Sequence, residues 1–289
     1  MRKRSILPVV LLLVAPLSAC ADGSGGGQQV VASFYPLQYV AQRIVGSHAK
    51  VTNLTKPGVE PHELDLKPSQ IATVAEAKVV IFEHGLQPAV DQAVEQNDPE
   101  ETVDVAKVVA LRPGDGGVDP HFWQDPTLLG QAATAFTKSI SKADPTHAAS
   151  YAAHDASLQK DLQALDAELK AGLAQCRTRT IVVSHDAFEY FGRRYGLDVQ
   201  PIAGLSPDAE PSAKHLAQLA TLSREKGITT VFNETLASPK LADTLASDLG
   251  ITTAVLDPIE GLTSKDASDD YLSLMRANLA AIQNAGGCS

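Results

Sequence analysis

The chain has 289 residues and carries 34 acidic against 24 basic side chains, a formal net charge of -10. That balance excludes nucleic-acid binding, which needs a basic face, and gives the whole molecule a field that attracts cations. The length is sufficient for two lobes.

In chain order, Arg2, Lys3 and Arg4 precede an apolar stretch from Ile6 to Leu17, shorter than the roughly 20 residues of a membrane-spanning helix. The run Leu17-Ser18-Ala19-Cys20 follows. Residues 1–19 therefore read as an export signal. A Cys directly after small residues resembles a bacterial lipobox, which implies a mature chain that starts at Cys20 with its thiol carrying diacylglycerol. Cleavage removes three basic residues and no acids, leaving -13. Residues 20–27 are Asp-, Gly- and Ser-rich and read as a flexible tether. No later apolar stretch approaches spanning length.

From Gln28 onward, short β-branched runs alternate with amphipathic ones. Strands are predicted at Val30–Phe34, Val51–Leu54, Val79–Phe82 and Thr102–Val105, then at Thr180–Ser184, Val199–Ile202, Thr229–Asn233 and Thr253–Leu256. The stretches between them, among them Gln38–Val45, Pro88–Gln96, Ser212–Lys226 and Leu241–Leu249, read as helices, as does a last one from Asp270 to about Asn284. Strict alternation argues for parallel sheets covered on both faces. Four strands per half predict an α/β protein of two (β/α)4 lobes, at 28–143 and 177–289.

Between the halves, residues 144–176 predict one long helix. Asp144 is placed to cap it and Pro145 sits in the first turn, where its missing N–H costs nothing. Tyr151, Leu158, Leu162, Leu165, Leu169 and Leu173 fall on one face. A helix of ~46 Å follows at 1.5 Å per residue, a strut along both lobes. His147 and His154 on it are expected to be solvated. Cys176 and Cys288 remain after Cys20, and an even pair in an oxidising compartment predicts a disulfide. Neither lies near a His motif, which disfavours metal thiolates.

Three histidines stand in separate turns: His62 in Pro57-Gly58-Val59-Glu60-Pro61-His62-Glu63, His121 in Asp119-Pro120-His121-Phe122-Trp123, and His185 in Val183-Ser184-His185-Asp186. Each follows a predicted strand. In open α/β sheets, ligands bind outside the C-terminal strand ends, so the three are expected to meet where the lobes join. Zn²⁺ takes four such ligands tetrahedrally. Asp257, directly after the last strand, is the preferred fourth ligand. Glu234 is the alternative and Glu60 an outside candidate. Asp119 and Glu63 are expected to accept from imidazole N–H groups. His84, after the third strand, is a turn histidine or a weak first-contact ligand.

These residues resemble the cluster A-I solute-binding lipoproteins of zinc and manganese ABC importers. The resemblance rests on Ser33-Phe34-Tyr35-Pro36-Leu37, the His62 and His121 motifs, Ser184-His185-Asp186-Ala187-Phe188, the 204–212 segment, Phe232-Asn233-Glu234-Thr235 and Leu256-Asp257-Pro258. It implies two lobes joined by a rigid helix with metal between them, delivery to an ABC permease, and no catalysis. His185 occupies the position where a carboxylate marks manganese members, so it implies the zinc type; imidazole suits Zn²⁺ and hard oxygen ligands suit Mn²⁺. The loop before His121, 113–118, lacks the His-rich insertion of many zinc members. The expected protein is a monomer held to the membrane by its N-terminal lipid. Rival readings are the same role for Mn²⁺ or Fe²⁺, a zinc hydrolase, and a surface adhesin with a structural metal. No His-Glu-x-x-His motif supports the hydrolase.

Overall fold

A computed structural model of the chain describes residues 28–114, 117–263 and 268–289. The export signal, Cys20 and the tether lie outside the described residues.

The first sheet consists of β1 (Gln28–Ala32), β2 (Ala49–Asn53), β3 (Val79–Phe82) and β4 (Thr102–Asp104), in the order β2-β1-β3-β4. Every pairing in it is parallel. Helices α1 (Tyr35–Val45), α2 (Pro68–Ala75) and α3 (Pro88–Asn97) make the crossovers. The central strands are buried on both faces, which is why they are continuous apolar runs. Side chains alternate between two cores. Val30, Ala32, Val79 and Ile81 enter the main core with α1, whereas Val31, Val80 and Phe82 pack with Val74, Val90 and Ala93 of α2 and α3.

A short antiparallel hairpin follows, β5 (Arg112–Gly114) with β6 (Gly117–Asp119). The alternation pattern does not predict it, because each arm has three residues and the segment is rich in Gly. Its second arm presents His121. Helix α4 (Pro126–Ala143) begins just beyond, capped by the Asp125 carboxylate, which accepts the Thr127 N–H.

The long helix α5 spans Ala148–Gly172, 25 residues, hence ~38 Å. It is shorter than its sequence pattern implies at both ends. Residues Pro145–His147 form a 3-10 turn. Asp144 makes no cap; its Oδ2 accepts from His147 Nδ1 at 2.6 Å and from the Tyr151 hydroxyl at 2.7 Å. At the other end the chain turns at Leu173 toward Cys176, which is joined to Cys288 by a disulfide. Nor are the helix histidines simply solvated. His147 stacks on His48 with ring centroids 4.1 Å apart, and His154 Nδ1 lies 2.8 Å from the Ile44 carbonyl. Tyr151, Leu158, Leu162, Leu165 and Leu169 are all buried in the main core. The helix packs against α1 and α4 on one side and on α9 (Tyr271–Gly286) on the other.

The second sheet has β7 (Thr180–Val183), β8 (Asp198–Pro201), β9 (Thr230–Asn233) and β10 (Thr252–Val255), in the order β10-β9-β7-β8. Read from the other edge, its order of second, first, third and fourth strand repeats that of the first sheet. Helices α6 (Glu189–Tyr195), α7 (Ala213–Lys226) and α8 (Lys240–Leu249) connect it. Ile181, Val183 and Phe232 enter the same main core as the first sheet, so one apolar cluster runs through both lobes.

Candidate metal centre

The C-terminal strand ends of both sheets face a common cleft. His62 lies in the β2–α2 loop. That loop is held by Gln87 Nε2, which donates to Thr55 Oγ1 at 2.9 Å and to the Pro61 carbonyl at 3.3 Å. Gly58 takes a positive φ of 82°, and its N–H donates to the Leu262 carbonyl of the opposite lobe at 2.7 Å.

His121 follows β6 and is fully buried. Asp119 Oδ1 accepts from its backbone N–H at 3.0 Å and from ring Nδ1 at 2.8 Å. His185 follows β7 and is equally buried. Its Nδ1 donates to Glu234 Oε1 at 2.9 Å, and that oxygen also accepts from Ser184 Oγ at 2.6 Å. A carboxylate on Nδ1 fixes the tautomer and leaves Nε2 to face the cleft. Asp119 thus takes the expected place. Glu63 does not: it is exposed, and its N–H donates to Glu60 Oε2. Glu234 orients His185 rather than capping α8, whose N-cap is Pro239.

The three Nε2 atoms converge on Glu260 Oε1, at 3.1 Å for His121, 3.2 Å for His185 and 3.5 Å for His62. These four residues form the one group among the described residues whose ligand atoms could hold a metal ion. A regular tetrahedron with ligands 2.0–2.1 Å from zinc has edges of about 3.3–3.4 Å. The three separations from Glu260 bracket that length, and the ligand atoms of all four residues lie within 4.8 Å of one another, so the imidazoles must draw together around an ion.

Asp257, the expected fourth ligand, stands outside the group, and Glu260 takes its place. The reason is local. Asp257 Oδ1 accepts the Ile259 N–H at 2.7 Å and its Oδ2 accepts the Thr235 hydroxyl at 3.0 Å. Asn278 clamps its backbone, donating to Asp257 O at 2.6 Å and accepting from Asp257 N at 2.8 Å. The carboxylate therefore builds an Asx-type turn. Within that turn Ile259 adopts φ 59°, a left-handed conformation that is an outlier for a β-branched residue. The kink swings Glu260 back into the cleft. Trp123 Nε1 donates to the Pro258 carbonyl at 2.7 Å, and Gln124 Nε2 donates to the same oxygen. The first lobe thus grips the turn that aims Glu260.

Glu260 is 1% exposed. Burial opposes its charge, but the His185 imidazole and the bonds from His121 and His62 hold its carboxyl well below the usual range. Burial likewise opposes charge on His185, yet the Glu260 and Glu234 carboxylates raise it to about 10. His121 is raised against its burial by bonds to Asp119 and Glu260. Glu60, beside Glu260, is pushed up to about 8 by burial and by the Glu260 charge. His84 is outside the group, 68% exposed and 3.4 Å from Asp91.

Two parallel-sheet lobes on one rigid helix, with three buried or nearly buried imidazoles and one carboxylate in the cleft between them, define a metal-binding solute-binding protein, a carrier rather than an enzyme. Comparison with known proteins agrees. The model of the ZnuA family, zinc-uptake complex component A, periplasmic, matches residues 30–285, and the chain belongs to this family. It is 32% identical over 287 residues to the high-affinity zinc uptake system protein ZnuA of Bacillus subtilis, covering 92% of this chain and 89% of that protein. Zn(II)-bound AdcA from Streptococcus pneumoniae superposes with a TM-score of 0.79 at 32% identity, over 90% of this chain and 58% of that longer one. The laminin-binding protein Lmb of Streptococcus agalactiae, described as a bifunctional adhesin and metal transporter, gives 0.83 at 27% identity, over 90% and 99% of the two chains.

Proposed function

We propose that this protein captures Zn²⁺ outside the cytoplasmic membrane and delivers it to an ABC permease, with His62, His121, His185 and Glu260 as the ligands. The observation that carries this reading is the convergence of three imidazole Nε2 atoms on one buried carboxylate oxygen at 3.1–3.5 Å. Three neutral nitrogens and one carboxylate suit zinc better than manganese, which favours oxygen ligands. Four protein ligands close the tetrahedral shell, whereas a zinc hydrolase keeps one position open for water. Glu260 therefore separates the carrier from the enzyme. Ligands drawn from both lobes (28–143 and 177–289) make the ion a clamp across the cleft. Residues 144–176 hold the lobes at fixed spacing.

Lipid anchoring through Cys20 rests on the Leu17-Ser18-Ala19-Cys20 run. Such a chain works as a monomer beside its permease. The deciding experiment loads the untagged, metal-stripped protein with equal Zn²⁺ and Mn²⁺ and measures bound metal. One zinc per chain is expected. Preferential manganese uptake would overturn the zinc assignment, and a stoichiometry below one half would overturn the site. Loss of membrane association in Cys20→Ala tests the anchor.

A further inference from the structure

A second cavity lies on the seam between the lobes, away from the four metal ligands. It has a volume of about 390 Å³ and is lined by three arginines, Arg112, Arg193 and Arg194, together with Asp125 and Tyr190. That size is in the range of small-molecule clefts. Arg194 is already neutralised: it pairs with Asp166 through Nε at 2.5 Å and Nη2 at 2.8 Å, and with Asp125 at 3.2 Å. The other two differ. Among the described residues, neither Arg112 nor Arg193 forms an ion pair. The Arg112 guanidinium lies 5.9 Å from the centre of the Tyr190 ring. Glu189 is near enough to sense its charge but does not bridge to it. In a chain with ten more acids than bases, two unpaired guanidinium groups at one cleft are unexpected. The planar fork of arginine matches carboxylate and phosphate oxygens bidentately.

The position ties this cavity to the metal centre. Arg112 is on β5, opposite Asp119 of β6. Its N–H donates to the Tyr190 hydroxyl at 2.8 Å, which donates in turn to the Asp119 carbonyl at 3.0 Å. Asp119 holds His121. Arg193 is on α6, the helix that follows His185. We propose that the cavity binds a small oxyanion, a phosphate or a short dicarboxylate, bridging Arg112 and Arg193 across the same seam that zinc closes. Because both ligands fasten the His121 hairpin to the His185 segment, each tightens the other, reciprocally.

The test uses the intact, metal-stripped protein titrated calorimetrically with inorganic phosphate and, separately, malonate, at ionic strength held constant with NaCl. Saturable one-to-one binding of at least one anion is expected. It should weaken tenfold or more in Arg193→Gln and further in R112Q/R193Q, and tighten when zinc is present. Arg193 is exposed and, among the described residues, without an ion-pair partner, so Arg193→Gln is expected to keep the fold and, in anion-free buffer, wild-type zinc affinity. No saturable heat with either anion would overturn the proposal, as would wild-type anion affinity in Arg193→Gln. The metal-stripped arm reads anion binding whether or not zinc is the transported ion, so its failure is separate from failure of the proposed function.

Discussion

Glu260→Gln set beside Asp257→Asn distinguishes the ligand from the turn-builder. Glu260 is buried and meets three imidazoles within 3.5 Å. The glutamine keeps the volume and removes the charge. Removing one partner of a buried charged set costs about 3–5 kcal/mol, which at 1.4 kcal/mol per tenfold is roughly a hundred- to several-thousand-fold in zinc Kd. Asp257→Asn should do little, because an asparagine oxygen can still accept the Ile259 N–H and hold the Asx-type turn. Asp257→Ala removes that acceptor. It releases the strained Ile259 and misplaces Glu260, so affinity should fall by about tenfold, with about 1–2 kcal/mol of stability lost, near the worth of one buried hydrogen bond. Competition with a chromophoric chelator reads the affinities, and circular dichroism verifies the fold. Asp257→Asn weakening zinc as much as Glu260→Gln would refute the reasoning, because a ligand loses its charge in that change whereas a turn-builder keeps its acceptor.

Zinc must displace the proton from His185, raised to about 10 by Glu260 and Glu234 against its burial, so affinity should climb steadily from pH 5.5 to 8.5; a plateau above pH 7 in a competition assay would count against this. By the same linkage, the charged His185 stabilises the metal-free protein fully below its unfolded value near 6.5, and that contribution is lost as pH rises toward 10. Asp119→Ala and Glu234→Ala, which free the Nδ1 atoms of His121 and His185, should each weaken zinc about 10–100-fold; wild-type affinity in calorimetry would remove their orienting role. Breaking Cys176–Cys288, with a sequence separation of 112, should cost up to about 5 kcal/mol in the chain-entropy model and leave zinc affinity unchanged, as denaturant melts with and without reductant would read. X-ray scattering of metal-free and zinc-loaded protein should give nearly equal radii of gyration, and a difference of several ångströms would contradict a rigid seam.

Much of the architecture was legible because parallel strands covered on both faces must be apolar throughout. Val79–Phe82 and Thr180–Val183 therefore stand out from any surface segment. The three histidines were legible for a related reason: each stands in a turn or loop that follows a strand, His121 and His185 within two residues of one and His62 farther along the β2–α2 loop, and strand ends on one edge converge. Glu260 was hidden because the edge rule selects the first residue past the strand, and here that residue, Asp257, spends its carboxylate on folding the turn. Nothing in Asp257-Pro258-Ile259-Glu260 advertises a left-handed isoleucine, a conformation that side-chain preference argues against. It persists because Asn278, Thr235 and Trp123 over-determine it, all distant in sequence. The β5–β6 hairpin was missed for the opposite reason. Its arms are too short to carry a pattern, and its stability comes partly from Tyr190 of the other lobe.

The same contacts decide how a bound ion leaves. Rotating the lobes apart would break the buried bonds Trp123 to Pro258, Tyr271 to Trp123 and Tyr190 to Asp119 and would split a core that is continuous through both lobes. At about 0.5–1.5 kcal/mol net per hydrogen bond, and more where partners are left buried and unpaired, that route is costly before any apolar area is exposed. Three of the four proposed ligands, His121, His185 and Glu260, have side chains 0–1% exposed, whereas that of His62 is 12% exposed. Its loop is tied across the cleft by Gly58 N–H to Leu262 and behind by Gln87 to Pro61. Opening it breaks about two hydrogen bonds and no shared core, a few kcal/mol at most by the same scale. The lower cost favours the His62 loop as the release route of the proposed site, with the helix and the seam keeping the other three proposed ligands in register for the next ion.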